Sequence, residues 1–274
     1  MPMNETPGAD NGSPSGRRGG KPAAGQPVID RAFALLSTFD THHRAQTLAE
    51  LARRSGTPRS SALRLARSLV HAGALERLDD GRYVVGLRLL ETASLAPRGH
   101  GLRSVAMPFM EDLFHVTRQH VLLAVREQDE AVLVERLSAL DAGPVRYRVG
   151  GRLPLTTTGV GLVLLAFAPK DVQNRAITTY EPATSRLRQG HDDIRTPADL
   201  RRALAEARRG DHAYGRQSHP WPVDTMAAPV RNGGEVVAAL SVVAPSTGFT
   251  EAGYGPAVRA TARAISRRLE EDGP

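Results

Sequence analysis

The chain has 274 residues, enough for one or two domains, with 41% apolar residues but only 4% aromatics, so its core has to be aliphatic. A formal charge of +7 favours a polyanionic partner, and the absence of cysteine excludes disulfides, thiolate metal sites and cysteine nucleophiles. The longest apolar run, Val160 to Ala168, is about half of what a membrane span needs, and no secretory signal is visible, so the cytoplasm is the expected compartment.

Residues 1–26 are rich in Gly, Pro, Ser and Asn and read as a disordered tail. Its Arg17, Arg18 and Lys21 are either an arm that follows a DNA groove or incidental charge. Val28, Ile29, Ala32, Leu35, Leu36 and Phe39 fall at helical spacing and predict a first helix. Thr47-Leu-Ala-Glu50 is a capping box that opens a second helix, which Gly56 ends. Thr57 as N-cap and Pro58 at the first helical position open a third, which Gly73 ends. Leu75–Leu78 and Arg82–Val85 read as strands joined at the turn Asp79-Asp80-Gly81. A linker helix then runs from Gly86 to about Ala96 and breaks into a hinge at Pro97-Arg-Gly-His-Gly101.

Between Glu50 and Glu76 the chain carries Arg53, Arg54, Arg59, Arg64 and Arg67 and no acidic residue. On the third helix Ser60, Arg64, Arg67 and His71 share one face, while Ala62, Leu65, Ala66 and Leu69 make the other. Groove insertion requires such a helix: its back packs on its own domain while arginine reaches guanine edges or phosphate. Capped helix, tight turn, basic helix and hairpin, in this order, predict a winged helix-turn-helix. The expected DNA contacts are Thr47, Arg59, Ser60, Ser61, Arg64, Arg67 and Arg82. Arg82, beside the wing turn, either enters the minor groove or clamps a phosphate, or it pairs with Asp79 or Asp80.

The remainder reads as mixed helices and antiparallel hairpins, an α+β domain. Helices are expected over Ser104–Val116, Gly159–Phe167, Pro197–Arg209 and Pro256–Glu271. Strands are expected over Val121–Arg126, Ala131–Leu137, Thr225–Val230 and Glu235–Ala244. Thr156-Thr157-Thr158-Gly159 sets hydroxyls and then backbone N–H groups before an apolar helix, which suits a carboxylate or merely one N-cap. Thr225 and Ser241, on inward strand positions, are either ligand donors or buried hydroxyls satisfied by the backbone.

The assembled pieces resemble the IclR family of bacterial transcription regulators, from about Val28 to the last helix. The residues that carry this are Ser60-Ser-Ala-Leu-Arg64, Gly73-Ala-Leu-Glu-Arg77, Gly81-Arg-Tyr-Val-Val-Gly86, Gly150-Gly-Arg-Leu-Pro-Leu-Thr-Thr-Thr-Gly-Val-Gly161 and the run Ala227 to Ser241. The resemblance implies a cytoplasmic dimer or tetramer with an N-terminal winged helix-turn-helix and a C-terminal GAF-like domain. That domain would bind a small acidic or aromatic metabolite between residues 150–161 and the strands at 223–230 and 236–243. Several pocket positions depart from the family pattern. Thr156 stands for histidine, Leu162 for lysine, Thr225 for cysteine, and Ser218 and Pro222 for glutamate and glycine, whereas Ser241 is kept.

The expected organisation is therefore a tail (1–26), a reader (27–86), a linker helix and hinge (87–103) and an effector domain (104–272). The expected effector set is Thr156, Thr157, Thr158, Gly159, Val223, Thr225 and Ser241, which offers hydroxyls and N–H groups but no fixed charge. Arg148 and Arg152 are nearby in sequence and would supply charge only by turning inward. Catalysis is not expected, nor is a cofactor or a metal. Gly159-Val-Gly161 begins like a dinucleotide loop, but Leu164 stands where the third glycine belongs. His115 and His120 are five apart, and His42-His43 is read as a loop without acidic ligands nearby. The lone Trp221 is read as a loop anchor or pocket lid. Two rival readings are a constitutive DNA-binding protein whose second domain only oligomerises, and a metabolite-converting enzyme with an appended basic domain.

Overall fold

The computed structural model describes residues 27–40, 42–139, 147–181, 187–189, 192–217 and 222–271. The 1–26 tail, Ser218 and Trp221 lie outside the described residues. The chain divides into two compact units, one ending at Ala93 and the other beginning at Ser94.

The first unit holds α1 (Val28–Leu36), α2 (Leu48–Ser55), α3 (Arg59–His71), β1 (Leu75–Arg77), β2 (Tyr83–Val85) and α4 (Leu87–Ala93). Its core is Leu35, Leu51, Ala52, Ala62, Leu65, Ala66, Leu75 and Tyr83. Each fully buried leucine contributes roughly 1.5–3 kcal/mol. The capping box forms as expected: Thr47 Oγ1 accepts from Glu50 N and Glu50 Oε2 accepts from Thr47 N at 2.8 Å. Gly56, at φ 64°, closes α2 in the left-handed region. The Thr57 cap does not form. Helix α3 starts at Arg59 after Pro58, no side chain caps it, and the buried Thr57 Oγ1 has no hydrogen-bond partner among the described residues. Gln46 bridges Tyr83 by two backbone hydrogen bonds and adds a one-residue third strand to the β1–β2 wing.

Of the apolar face expected of α1, Ala32, Leu35, Leu36 and Phe39 pack into the core, but Val28 and Ile29 are exposed, as is Phe33, which lay outside that face. Helix α4 buries no residue, and Leu87 and Leu90 are exposed. The expected break at Pro97–Gly101 is a single turn of π-helix that runs into α5 (Leu102–Thr117). The interruption comes earlier, after Ala93.

The second unit is an α+β domain on an eight-stranded antiparallel sheet. Its strands are β3 (His120–Glu127), β4 (Glu130–Leu137), β5 (Arg152–Pro154), β6 (Leu187–Gln189), β7 (Asp192–Asp193), β8 (Ala213–Gln217), β9 (Val223–Asn232) and β10 (Glu235–Pro245). They lie in the order β5-β4-β3-β10-β9-β8-β6-β7. Helices α6 (Gly159–Ala166), α7 (Lys170–Thr178) and α8 (Pro197–Gly210) cover one face, and α5 and α9 (Glu251–Glu271) the other. Every residue of α6 is buried, which explains its uniformly apolar sequence. The final helix begins five positions before the expected Pro256, which it carries inside its first turns.

Candidate DNA-reading surface and ligand cleft

In the first unit, α3 turns Ala62, Leu65 and Ala66 into the core and leaves Arg59, Ser60, Arg64, Arg67 and His71 exposed, with Ser61 half-buried. The 3.6-residue period alone produces this split. With no side chain capping α3, its first N–H groups point outward beside Arg59 and Ser60, an arrangement that attracts phosphate. Arg59, Arg64 and Arg67 form no ion pair among the described residues.

Two other arginines of this unit, Arg54 and Arg82, are already engaged. Arg54 donates to the Thr38 carbonyl and to Asp40 Oδ2 at 2.7 Å, which ties α2 to the segment after α1. His43 also meets Asp40, at 2.8 Å, so the His42-His43 loop does have an acidic neighbour, contrary to expectation. The His43 hydrogen bond, with two backbone N–H donors, holds the Asp40 carboxyl well below the usual carboxylate range. At the wing, Arg82 Nε donates to Asp80 Oδ2 at 2.7 Å, the pairing that competes with DNA contact. Thr47, exposed at the start of α2, has its hydroxyl on Glu50.

In the second unit a narrow cleft opens between the sheet and the start of α6. Thr157, Thr158, Gly159, Val223, Thr225 and Ser241 line it, with Leu122, Tyr147, Leu153, Val160 and Val243. Six of the seven expected effector residues thus come together. Thr156, half-buried, is not among the lining. The cavity volume is ≈ 20 Å³, about the room of one water, so its walls must part for a larger molecule. Thr158 caps α6: its Oγ1 accepts from Gly161 N at 3.1 Å and donates to the Pro154 carbonyl at 2.9 Å. That leaves the N–H groups of Gly159 and Val160 as the helix's own anion-binding donors.

Ser241 is almost fully buried, and its Oγ has no hydrogen-bond partner among the described residues, a cost of about 1–3 kcal/mol unless something else satisfies it. The reading in which the backbone satisfies this hydroxyl therefore fails. The Gly159-Val-Gly161 sequence is explained by close packing. A Cβ on Gly159 would lie 2.5 Å from Thr225 Cγ2, and one on Gly161 2.5 Å from the Pro154 carbonyl oxygen. Arg148 and Arg152 are both exposed, and Arg152 pairs with Glu130 at 3.0 Å.

Thr225 turns to the cleft, so its neighbour Asp224 turns to the opposite face, fully buried. Arg216 grips Asp224 with Nε and Nη2, each at 2.8 Å, and Tyr214 Oη and Ser246 Oγ donate at 2.7 Å. Burial pushes the Asp224 carboxyl up, but these donors outweigh it and leave it below the usual range. Burial, reinforced by Asp224, pushes the Tyr214 hydroxyl to about 12. Sequence reading missed this clamp because β8 carries no clear alternation signal. The described residues contain no cluster of metal-ligating side chains, and no helix is long and apolar enough to cross a membrane.

Comparison with known proteins gives a consistent result for both units. A family model described as the IclR helix-turn-helix domain matches residues 28–79. A second, for the C-terminal region of the bacterial transcriptional regulator IclR, matches residues 96–267. The HTH-type transcriptional regulator KipR of Bacillus subtilis is 28% identical over 225 residues, covering 82% of this chain and 88% of KipR. The HTH-type transcriptional repressor AllR of Escherichia coli is 27% identical over 270 residues, covering 92% and 96%. Among solved structures, an IclR homolog from Microbacterium hydrocarbonoxydans complexed with 4-hydroxybenzoate is 33% identical. It superimposes with a TM-score of 0.82 and covers 90% of this chain and 100% of that one.

Proposed function

The chain belongs to the IclR family of bacterial transcription regulators, and on that premise we propose that its first unit reads an operator while its second responds to a small, mostly apolar metabolite with one polar or anionic end. Regulation of transcription, rather than catalysis, is the activity of the family. We assign the reader to residues 27–86, the linker to 87–103 and the sensor to 104–272. The DNA contacts are Arg59, Ser60, Ser61, Arg64 and Arg67 on α3, with Arg82 at the wing and Thr47 at the start of α2. The protein works in the cytoplasm as a dimer or a tetramer. The exposed Val28, Ile29, Phe33, Leu87 and Leu90 supply apolar surface for pairing two readers, and two-fold symmetry doubles the operator contacts. Light scattering that gave the mass of one chain at micromolar concentration would defeat the dimer.

The observation that carries the sensor reading is the unsatisfied Ser241 hydroxyl in a cleft shared with Thr225 and the α6 N-terminus. A sensor reduced to an oligomerisation module has no use for this cost. The Microbacterium relative holds 4-hydroxybenzoate, and an aromatic acid of that size suits a cleft of valines and leucines with hydroxyls at its floor. The test is a panel of aromatic and aliphatic monocarboxylates, scored by thermal stabilisation, which grows as RT ln(1 + [L]/Kd). A binder should change operator affinity. The double variant Thr225→Val with Ser241→Ala should lose that response and keep unliganded operator affinity within a few-fold. A normal response in the double variant places the pocket elsewhere, and no stabilisation by any acid favours the oligomerisation-only alternative.

A further inference from the structure

Strand β4 does not alternate regularly. Ala124 of β3 faces Leu133, but Leu123 faces Glu135, so Val134 is an extra residue, a β-bulge. Before the bulge, Ala131 and Leu133 point to the α6 side of the sheet, and Val132 and Val134 to the α5 side. Unbroken alternation would continue with Glu135 towards α6 and Arg136 away. The bulge cancels one step. Glu135 falls on the α5 side, where Arg103 of α5 pairs with it. Arg136 pairs with Leu122 and so shares its face, the face of the cleft.

That face carries a row across four strands: Ala227 of β9, Ser241 of β10, Leu122 of β3 and Arg136 of β4. Leu122 and Ser241 line the cleft, and the Arg136 guanidinium donates to the carbonyl of Tyr147, another lining residue. The half-buried Arg136 therefore stands at the β4 end of the cleft. The orphaned Ser241 hydroxyl lies two strand spacings away along the same row, about 10 Å between backbones. A one-ring molecule with polar groups at opposite ends, met by the two side chains, bridges that span. None of the described side chains that line the cleft is charged, so the bulge brings to its edge a cation that this lining lacks.

We propose that Arg136 recognises the negative charge of the effector, with Ser241 binding a polar group at its other end, which makes the effector class a small ring acid carrying a second hydrogen-bonding group. This rests on the cleft being the effector site, as argued above. A guanidinium carries five N–H donors on one delocalised charge, so it can hold backbone oxygens and still meet a carboxylate. The competing account is that Arg136 only fixes Tyr147 as a wall.

The experiment measures binding of benzoate, 4-hydroxybenzoate and phenylacetate, and of their three carboxamides, by calorimetry to the full chain. It compares the unaltered protein with Arg136→Met and Arg136→Lys. The acids should weaken roughly 10- to 100-fold in Arg136→Met, the loss expected of a charge-assisted hydrogen bond. The amides should change by less than about three-fold, and Arg136→Lys should recover part of the acid affinity through its charge. In the unaltered protein, acid affinity should fall as salt is raised about tenfold while amide affinity holds, a readout that stands even if Arg136→Met fails to fold. Equal losses for acid and amide would leave Arg136 a support for Tyr147 and overturn the proposal, as would unchanged acid binding. If the unaltered protein binds no acid and no amide, the cleft reading itself fails and takes this assignment with it.

Discussion

The two units treat arginine differently. On α3 of the reader, Arg59, Arg64 and Arg67 are exposed and have no acidic partner among the described residues. In the sensor, Arg103, Arg152, Arg175, Arg202, Arg216 and Arg231 are each paired with a carboxylate. Most exposed pairs of this kind contribute little to stability, but they neutralise the field locally. On α3 the unpaired charges sit where a polyanion is to be met, which concentrates the reader's own field on that face.

The largest expected effect concerns a pair whose carboxylate is fully buried. Asp224 and Asp40 are both gripped by an arginine, but the Asp224 side chain is 0% exposed and that of Asp40 32%. Asp224→Asn should destabilise the sensor by roughly 2–4 kcal/mol, because the buried amide keeps one accepting oxygen and turns its NH2 against two of the donors that Asp224 satisfies. Asp40→Asn should cost the reader much less, since water replaces what is lost. Urea unfolding, followed separately for each unit, reads the difference. The Asp224 carboxyl titrates below its unfolded value, so its contribution is complete above about pH 4 and is lost as pH falls through the lower folded value. The sensor with Asp224→Asn should therefore lose less stability between neutral and acid pH than the unaltered one. Equal losses in the two units, or an unchanged acid limb, would show that burial does not set the worth of these pairs.

Arg64→Ala comes next. Arg64 is at the centre of the exposed α3 face, so a bidentate base contact there should be worth about 1–3 kcal/mol on the operator. Operator and scrambled duplex should then be bound more nearly alike. An equal loss on both duplexes would make Arg64 a phosphate contact, and no loss on either would remove it from the interface.

The legibility of each unit follows from its geometry. A helix keeps its 3.6-residue period through a whole face, so Ser60, Arg64, Arg67 and His71 could be set outward from spacing alone. What could not be read there was the engagement of Arg54, because its partners, Thr38 and Asp40, precede α2 by a loop. In the sensor the apolar helix α6 and the long strands β9 and β10 were plain. The short β5 and β8 and the helix α7 were missed because their patterns span too few residues. Arg136 was missed for a different reason. Period-two counting along β4 assigns it the wrong face, and only the pairing with β3 reveals the extra residue at Val134. Arg148 and Arg152, which stood nearer the pocket motif in sequence, turned out to be exposed.

The smallest expected effect tests whether Arg82 belongs with the reader's available charges or with the sensor's paired ones. Its partner Asp80 is bound at 2.7 Å, but both side chains are 48% exposed, so solvent screens the pair and it should yield easily to a phosphate. A dimer with roughly four to eight phosphate contacts should show a log–log salt slope of about −4 to −7. Arg82→Ala should flatten that slope by about one or two, one contact for each reader, with a similar loss on operator and scrambled DNA. Asp80→Asn should act in the opposite direction: the guanidinium no longer has to leave a carboxylate, and affinity should rise a few-fold at low salt. Anisotropy titrations across a salt series measure both. If Asp80→Asn weakens binding, the Asp80–Arg82 pair is needed to shape the wing turn, and the paired conformation rather than the released one is what meets DNA. If Arg82→Ala leaves both the slope and the affinity unchanged, the pair is surface neutralisation like that of Arg152 with Glu130 in the sensor, and the reader's contacts are confined to α3 and its flanks.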